Sequence, residues 1–211
     1  MSNVKCHCFH FIFVKVINNF KMQQNFVSEQ LIENQDFTSI FLTKAKYEEC
    51  TFKNCDFSNN NFFEYSFNEC EFYNCNLTSI KVAKCALQNV SFVDCKIIGV
   101  AFEHCHPFLL EFNFNDCNLS LSTFAELKLP KINFTNCNLT EVDFTLSNLE
   151  NAKFDDCNFD RAIFHKTNLK NADFTTSGNI ILDPEMNQIN GAKFNLRTAI
   201  GFLEKYEIII E

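Results

Sequence analysis

Six cysteines recur along the chain at intervals of 20, 20, 22, 20 and 20 residues, at Cys55, Cys75, Cys95, Cys117, Cys137 and Cys157. A shorter period lies beneath them, because a large apolar residue occupies every fifth position over most of the sequence, as at Phe52, Phe57 and Phe62. A period of five matches neither the 3.6 residues of a helix nor the two of a flat strand. It is typical of a repeat protein.

The five-residue unit is well shown by residues 55–59, with Phe57 at the centre and the small Cys55 two positions before it. The other three positions of a unit are mostly polar. Two inward and three outward positions describe a chain that turns a corner after every unit. Four units then close a square coil of twenty residues. Coils that stack like parallel strands, ~4.8 Å apart, predict about seven coils in a rod on the order of 35 Å long.

Arranging the sequence in columns of twenty supports this fold, because one column contains only phenylalanine: Phe52, Phe72, Phe92, Phe114, Phe134, Phe154 and Phe174. This column and the cysteine column share the single step of 22, which predicts a two-residue insertion between Cys105 and Phe112. The insertion loop then comprises His106, Pro107, Phe108, Leu109 and Leu110. The sequence predicts an all-β protein, a right-handed quadrilateral parallel β-helix over residues 22–176. Residues 177–211 follow as a turn, a short helix and a strand.

The chain has twelve cysteines, a number that suggests disulfides in a small secreted protein. Side chains stacked in register keep their Cβ atoms near the ~4.8 Å coil spacing, which is longer than the roughly 3.5–4.5 Å of a disulfide. We therefore expect free thiols that pack as small buried apolar groups, as suits a reducing cytosol.

Residues 1–21 precede the repeats and contain three lysines and no acidic residue. The apolar run from Phe9 to Ile17 contains Lys15, is too short to span a bilayer and precedes no small-residue cleavage site. We expect an N-terminal extension, or a segment upstream of a start at Met22, without an export signal. A cytoplasmic protein with no membrane contact is predicted. Cys6, His7, Cys8 and His10 lie close together but lack the paired spacing of a structural zinc site, so no metal is expected.

The sequence contains no phosphate-binding glycine loop, nucleophile elbow or metal-binding helix motif. A core filled with phenylalanine also leaves no room for a small substrate. We expect no enzymatic activity and no cofactor. The formal net charge of −8 disfavours direct nucleic-acid binding, which needs clustered lysine and arginine.

An acidic face is the first candidate for function. Beside the phenylalanine column, the outward positions include Lys53 and Lys153 but more acids, namely Glu71, Asp94, Asp116, Asp155, Asp156 and Asp173. One interpretation is a solvated face that maintains solubility. The other is that the carboxylates stand where a DNA-binding protein expects phosphates, so that complementary charge guides binding.

The C-terminal segment is the second candidate. Asn195 is suited to cap a helix over Leu196 to Lys205, and Tyr206 to Ile210 reads as a short strand. An open solenoid end must be covered, either by this segment as an intramolecular cap or by a second copy in a two-fold dimer. The predicted dimer contacts are Leu196, Ile200, Phe202 and Leu203.

The repeating unit resembles that of the pentapeptide-repeat proteins. The tail at residues 179–189, with its Asp183-Pro184-Glu185 turn before a terminal helix, is similar to the microcin-immunity and Qnr-type quinolone-resistance branch. That resemblance implies an end-to-end homodimer that imitates DNA and binds DNA gyrase or another type II topoisomerase, with protection against a toxin or a quinolone. Gram-negative Qnr-type proteins carry longer projecting loops, so binding is better supported than drug protection. A rigid scaffold for another protein partner is the alternative.

Overall fold

The computed structural model describes residues 25–108, 110–203 and 206–208. The chain winds as an all-parallel β-solenoid whose four faces we number in the order in which the chain visits them: face 1 is centred on Phe52, face 2 on Phe57, face 3 on Phe62 and face 4 on Phe67. Its strands are short: β1 Phe26–Ser28, β2 Leu31–Glu33, β3 Lys46–Glu48, β4 Thr51–Lys53, β5 Ser66–Asn68, β6 Glu71–Tyr73, β7 Ala86–Gln88, β8 Val90–Val93, β9 Phe112–Asn115, β10 Asn133–Thr135, β11 Lys153–Asp155, β12 Asp173–Phe174 and β13 Lys193–Phe194.

Face 1 contains one uninterrupted sheet. In the described residues this sheet has nine strands, from β2 to β13, and the solenoid makes about eight turns. The predicted fold class is confirmed, but the predicted count of about seven coils is one too low. Ile32 pairs in register below Phe52, and Phe194 pairs above Phe174. Parallel pairing therefore continues past residue 176, where the repeat pattern in the sequence ends.

Each corner of a coil is made by a residue in the left-handed region, usually two positions after the central apolar residue. Asn54, Asn74 and Asp94 are successive examples, with φ angles of 53°, 49° and 53°. Asparagine and aspartate tolerate this conformation better than most residues, which explains their frequency at outward positions. The side-chain amide of Asn74 also donates to Asn54 Oδ1 at 2.9 Å, so stacked corners are joined along the rod.

The core is a column of stacked rings. Phe134 is fully buried, and its ring lies 5.2 Å from those of Phe114 and Phe154, nearly parallel to both. Phe124 on face 3 meets the same ring edge-on at 5.8 Å. An apolar void of about 10 Å³ lies between the rings on the N-terminal side, which is no more than the space that one water needs. The interior of the described solenoid thus has no room for a small-molecule substrate.

The ten cysteines that the structure describes are buried free thiols. Six of them, Cys50, Cys55, Cys75, Cys95, Cys117 and Cys157, donate their S–H to a backbone oxygen one coil below, as from Cys75 Sγ to Phe52 O at 3.4 Å. The hydroxyl of Ser177, which continues the cysteine column, donates in the same way to Phe154 O at 2.7 Å. Burial raises the pKa of Cys70 to about 11, and burial together with the Glu103 carboxylate raises the pKa of Cys105 to about 12. Cys6 and Cys8 lie outside the described residues.

The two-residue insertion interrupts face 4. His106 still donates its N–H to Cys85 O at 2.8 Å, and Glu111 donates to Leu87 O at 3.1 Å. The chain between them leaves the coil, and Leu109 lies outside the described residues. The four-stranded sheet of face 4 ends at β7, and beyond the insertion this face continues as isolated bridges between Lys128, Asn148, Asn168 and Gln188.

A short helix, α1 (Leu196–Gly201), follows the last coil. Asn195 caps it, as predicted, because its side chain accepts from the N–H of Thr198 at 2.9 Å. The helix ends at Gly201 rather than continuing towards Lys205. The predicted strand is wrong for Tyr206 to Ile208, where the chain turns and Tyr206 donates its N–H to Leu203 O at 3.0 Å. The rest of that predicted strand lies outside the described residues.

Candidate interaction surfaces

The six predicted acidic residues all lie on face 1. Three of them are outward-facing strand residues and three are corner residues. Glu71 and Asp155 belong to strands and flank a buried phenylalanine. Asp94, Asp116 and Asp156 occupy the corner between faces 1 and 2, with φ angles near 53°. All five are exposed, so their carboxylates reach solvent along one side of the rod.

At the corner between faces 1 and 2, amide side chains hold the carboxylate of Asp116 in place. Asp116 accepts from the side-chain amides of Asn115 in its own coil and Asn136 in the next. Along this corner Asp94 and Asp116 stand in adjacent coils, whereas Asn136 separates Asp116 from Asp156. The two hydrogen bonds restrict the movement of the Asp116 carboxylate.

Asp173 differs from the other five. Lys193 Nζ lies 3.0 Å from its Oδ2, and Thr175 donates both its N–H and its hydroxyl to Oδ1. Partial burial pushes the pKa of Asp173 upwards, but the bonds from Thr175 and Lys193 outweigh it and hold that pKa below its usual range. The charge of Asp173 is therefore neutralised within the chain. The sequence analysis did not identify Lys193 as the partner of Asp173, because the repeats were expected to end at residue 176.

No lysine or arginine in the described part of the chain pairs with Glu71, Asp94, Asp116, Asp155 or Asp156. On face 2 the acids are better matched, since Arg161 contacts Glu141 at 2.9 Å and Asp160 at 3.3 Å. Face 1 thus has five carboxylates outside the ion pairs of the described residues, whereas the acids of face 2 are partly neutralised.

The density of that charge resembles a single strand of DNA. The five unpaired acids extend from the coil of Phe72 to that of Phe154, four coil spacings of ~4.8 Å or about 19 Å. One DNA strand carries a phosphate every ~3.4 Å of helix axis, which gives about six over this length. The five carboxylates, offset by the exposed Lys153 on the same face, approach that value, whereas a duplex would present about eleven charges.

The C-terminal helix covers the end of the solenoid. Phe202 packs edge-on against Phe194 at 4.9 Å, and Phe194 stacks on Phe174 at 5.2 Å. Of the four predicted dimer contacts, Phe202 is therefore an intramolecular cap. The other three form an exposed apolar surface, with 77% exposure at Leu196, 39% at Ile200 and 38% at Leu203.

The insertion loop presents one large apolar side chain. Phe108 is 75% exposed, and its ring lies 5.7 Å from that of His106. The N–H of Phe108 also contacts His106 Nδ1 at 3.4 Å, so these two residues form a small turn. Pro107 lies exposed between them, and Leu110 is partly buried against the core.

A sequence profile described as "Pentapeptide repeat region" matches residues 45–113 and 109–178, more than half of the chain. The chain belongs to the pentapeptide repeat family. No curated protein matches the chain in a sequence comparison.

Two solved structures resemble this pentapeptide repeat protein over most of its length. Both are trypsin-treated single-substitution variants of QnrB1, which is described as a plasmid-mediated fluoroquinolone resistance protein. The first has a TM-score of 0.70 at 16% identity and covers 89% of this chain and 92% of its own. The second has a TM-score of 0.59 at 18% identity and covers 89% and 98%. At such identities the similarity establishes a shared fold.

The described part of this pentapeptide repeat protein lacks a metal-binding cluster and a membrane-spanning helix. It holds no group of three or more histidine, cysteine, aspartate or glutamate residues placed to bind a metal ion. It also has no helix with the length and apolar character needed to cross a membrane. The sequence motif at Cys6, His7, Cys8 and His10 lies outside the described residues.

Proposed function

We propose that this pentapeptide repeat protein is a non-catalytic rod that binds DNA gyrase, or another type II topoisomerase, through face 1. The carboxylates of face 1 take the place of one strand of DNA phosphates. The observation that carries the proposal is the set of five exposed carboxylates without a cationic partner, arranged along an unbroken nine-stranded sheet. The similarity of the tail to the Qnr-type branch and the fold shared with QnrB1 support the choice of partner.

The rigidity of the sheet matters for this role. Each carboxylate on a strand flanks a fully packed ring, and Asp116 at the corner is fixed by two amides. A partner therefore meets a preorganised array and loses little free energy in ordering it. The attraction between the array and a basic groove increases the association rate and weakens as salt rises.

Dimerisation extends the array. The apolar surface of Leu196, Ile200 and Leu203 stands beside the cap at the C-terminal end of the rod. A two-fold contact there joins two rods of about 38 Å, since eight coil spacings of ~4.8 Å separate the nine strands of face 1. Sedimentation of the Leu196→Asp/Leu203→Asp variant tests this step: we expect a monomer where the unmodified chain is a dimer. Equal masses for the two chains would remove the dimer from the proposal.

Protection of the topoisomerase against a toxin or a quinolone follows if the rod competes with DNA for the enzyme. The protein acts in the cytoplasm in this proposal, without a cofactor. The insertion adds only two residues, so we assign binding to face 1 and not to the loop. A gyrase supercoiling assay with and without a quinolone checks this. We expect the protein to inhibit supercoiling and to restore activity in the presence of the drug.

The role of face 1 is tested by removing two of its charges. Asp155→Asn/Asp156→Asn should weaken gyrase binding about tenfold and reduce its dependence on salt. The control is Glu126→Gln/Asp143→Asn, which removes the same charge from face 3 and should change affinity less than about twofold. An equal loss in both variants indicates a net-charge effect and contradicts the proposal. Binding that is insensitive to salt and to both changes supports the alternative, a scaffold that recognises its partner by shape.

A further inference from the structure

A groove with the opposite charge runs along the corner between faces 3 and 4, in the half of the rod before the insertion. Its volume is about 810 Å³, and it crosses five successive coils from Asn25 to His106. Four coil spacings make it about 19 Å long. Ala45 and Ala86 are among the small residues that leave this space between the coils.

The charged side chains that line the groove are mostly basic. Lys44, Lys46 and Lys84 stand against a single acid, Glu64, and His106 lies at one end. Counting histidine as neutral, the groove carries two positive charges in a chain whose formal net charge is −8. Face 1 is acidic and the groove is basic, which favours a different partner for each surface. A partner that is attracted to one surface is repelled by the other, because it has the same sign of charge as that other surface.

Two of these lysines are held in position. Glu64 contacts Lys44 at 2.9 Å and Lys84 at 3.9 Å, and its pKa is lowered mainly by the hydrogen bond from Lys44. The ring of Phe63 lies beneath both ammonium groups, 5.2 Å from Lys44 and 5.4 Å from Lys84. Tyr65 completes the wall with a fixed ring, since its hydroxyl donates to Leu42 O at 2.6 Å.

We propose that this groove binds an extended peptide segment with two acidic residues three positions apart. The backbone positions of Lys44 and Lys84 are two coils apart, about 9.6 Å, and both side chains turn towards Glu64 between them. Three residues of an extended chain span roughly 10 Å, so two carboxylates at that spacing approach the two lysines from either side of Glu64. About six residues fill the groove, and the alanines accommodate small or apolar side chains between the acids.

The groove and the acidic corner lie on diagonally opposite edges of the square coil. The corner of Asp94, Asp116 and Asp156 joins faces 1 and 2, whereas the groove joins faces 3 and 4. An occupant of the groove therefore leaves face 1 open. This inference goes beyond the proposed binding of gyrase and does not depend on it.

The test uses the full chain and a fluorescent eight-residue peptide with two glutamates three positions apart, followed by anisotropy. Lys44→Glu/Lys84→Glu should weaken binding by about tenfold. The control, Lys128→Glu/Lys131→Glu, makes the same charge change on face 4 beyond the insertion and should change binding less than about twofold. The peptide with both glutamates replaced by glutamine should bind at least about tenfold more weakly to the unmodified chain.

Carbodiimide cross-linking of the same peptide, followed by mass spectrometry, locates the contact. We expect links to Lys44, Lys46 or Lys84. Links confined to Lys5, Lys15 and Lys21, an equal loss in the control variant, or tighter binding of a single-stranded oligonucleotide would overturn the proposal. Lys44→Gln/Lys84→Gln serves as a second variant if circular dichroism shows that the charge reversal disturbs folding. Unchanged peptide binding in Asp155→Asn/Asp156→Asn separates this site from face 1.

Discussion

Faces 1 and 4 are built by the same coil and differ in continuity and in charge. Face 1 keeps one sheet of nine strands among the described residues, whereas the sheet of face 4 stops after four. The insertion explains the difference without disturbing face 1, since Phe92 and Phe114 on its two sides still stack at 5.2 Å. A solenoid therefore absorbs two extra residues on one face and preserves a long regular array on another.

The two faces also differ in the small residue that lies two positions before the central apolar residue of each unit. Beyond the insertion, face 4 places Ser147, Thr167 and Asn187 there, and each donates to a backbone oxygen. Face 1 places Ile132 and Ala152 at the equivalent positions, so it relies on apolar packing. The two faces are therefore stabilised by different contributions.

Removal of a stacked ring should have the largest effect. Phe134→Ala deletes a fully buried ring from face 1 and should reduce the free energy of unfolding by about 3–5 kcal/mol. Leu129 is the buried central residue of face 4, five residues before Phe134. Leu129→Ala should reduce the free energy of unfolding by about 2–3 kcal/mol, because a smaller side chain is lost. Urea unfolding followed by circular dichroism measures both. An equal or greater loss for Leu129→Ala would show that the ring column is not the principal support.

The donors of face 4 provide the next test. Thr167→Val removes the hydroxyl that donates to Phe144 O at 2.9 Å, a carbonyl that still accepts from the Ser147 hydroxyl at 2.8 Å. We expect a cost of about 0.5–1.5 kcal/mol. Ile132→Val on face 1 removes one methylene and should cost about 0.5–1.5 kcal/mol. A Thr167→Val variant as stable as the unmodified protein would contradict a stabilising role for these hydrogen bonds.

Deletion of Pro107 and Phe108 restores the twenty-residue spacing on face 4. Because both residues are exposed and outside the regular coil, the free energy of unfolding should change by less than about 1 kcal/mol. Gyrase binding should remain within about twofold of the unmodified protein, since face 1 is untouched. A loss of gyrase binding in a folded deletion variant would transfer the function from face 1 to the loop.

The smallest effect concerns the ion pair of Asp173 and Lys193 on face 1. The folded-state pKa of Asp173 is lowered, so its contribution is present above the unfolded value of about 3.9 and is lost as pH falls through the folded value. Both side chains are partly exposed, and Lys193→Ala should cost less than about 0.5 kcal/mol at pH 7. Stability measured between pH 5 and 2 should depend less on pH in this variant. An unchanged pH dependence would show that the pair contributes nothing.

The sequence predicted the features that depend on local residue type and spacing. An apolar central residue and a small residue two positions before it gave the coil, and the shared step of 22 located the insertion. Ile32 and Phe194 lie twenty residues from Phe52 and Phe174, so the column spacing extends to both, but the repeat was ended at residue 176 because the five-residue pattern breaks after Phe174. The apolar run beginning at Tyr206 resembled a strand, but a hydrogen bond to Leu203 makes it a turn.

The surfaces were harder to predict because they depend on contacts between coils. Asp173 belongs to the acidic face by sequence, yet Lys193 from the next coil neutralises it. Lys44 and Lys84 share a column that twenty-residue spacing could have revealed. The position of His106 at the end of their groove depends on the path of the insertion, which composition does not specify.

The central claim is that face 1 occupies the DNA-binding surface of gyrase. An equilibrium competition measures it directly: labelled duplex DNA is bound to gyrase, and the protein is added at constant ionic strength. We predict that the protein displaces the DNA completely and that Asp155→Asn/Asp156→Asn requires about tenfold more protein to do so. A stable ternary complex of gyrase, DNA and the protein would contradict the account.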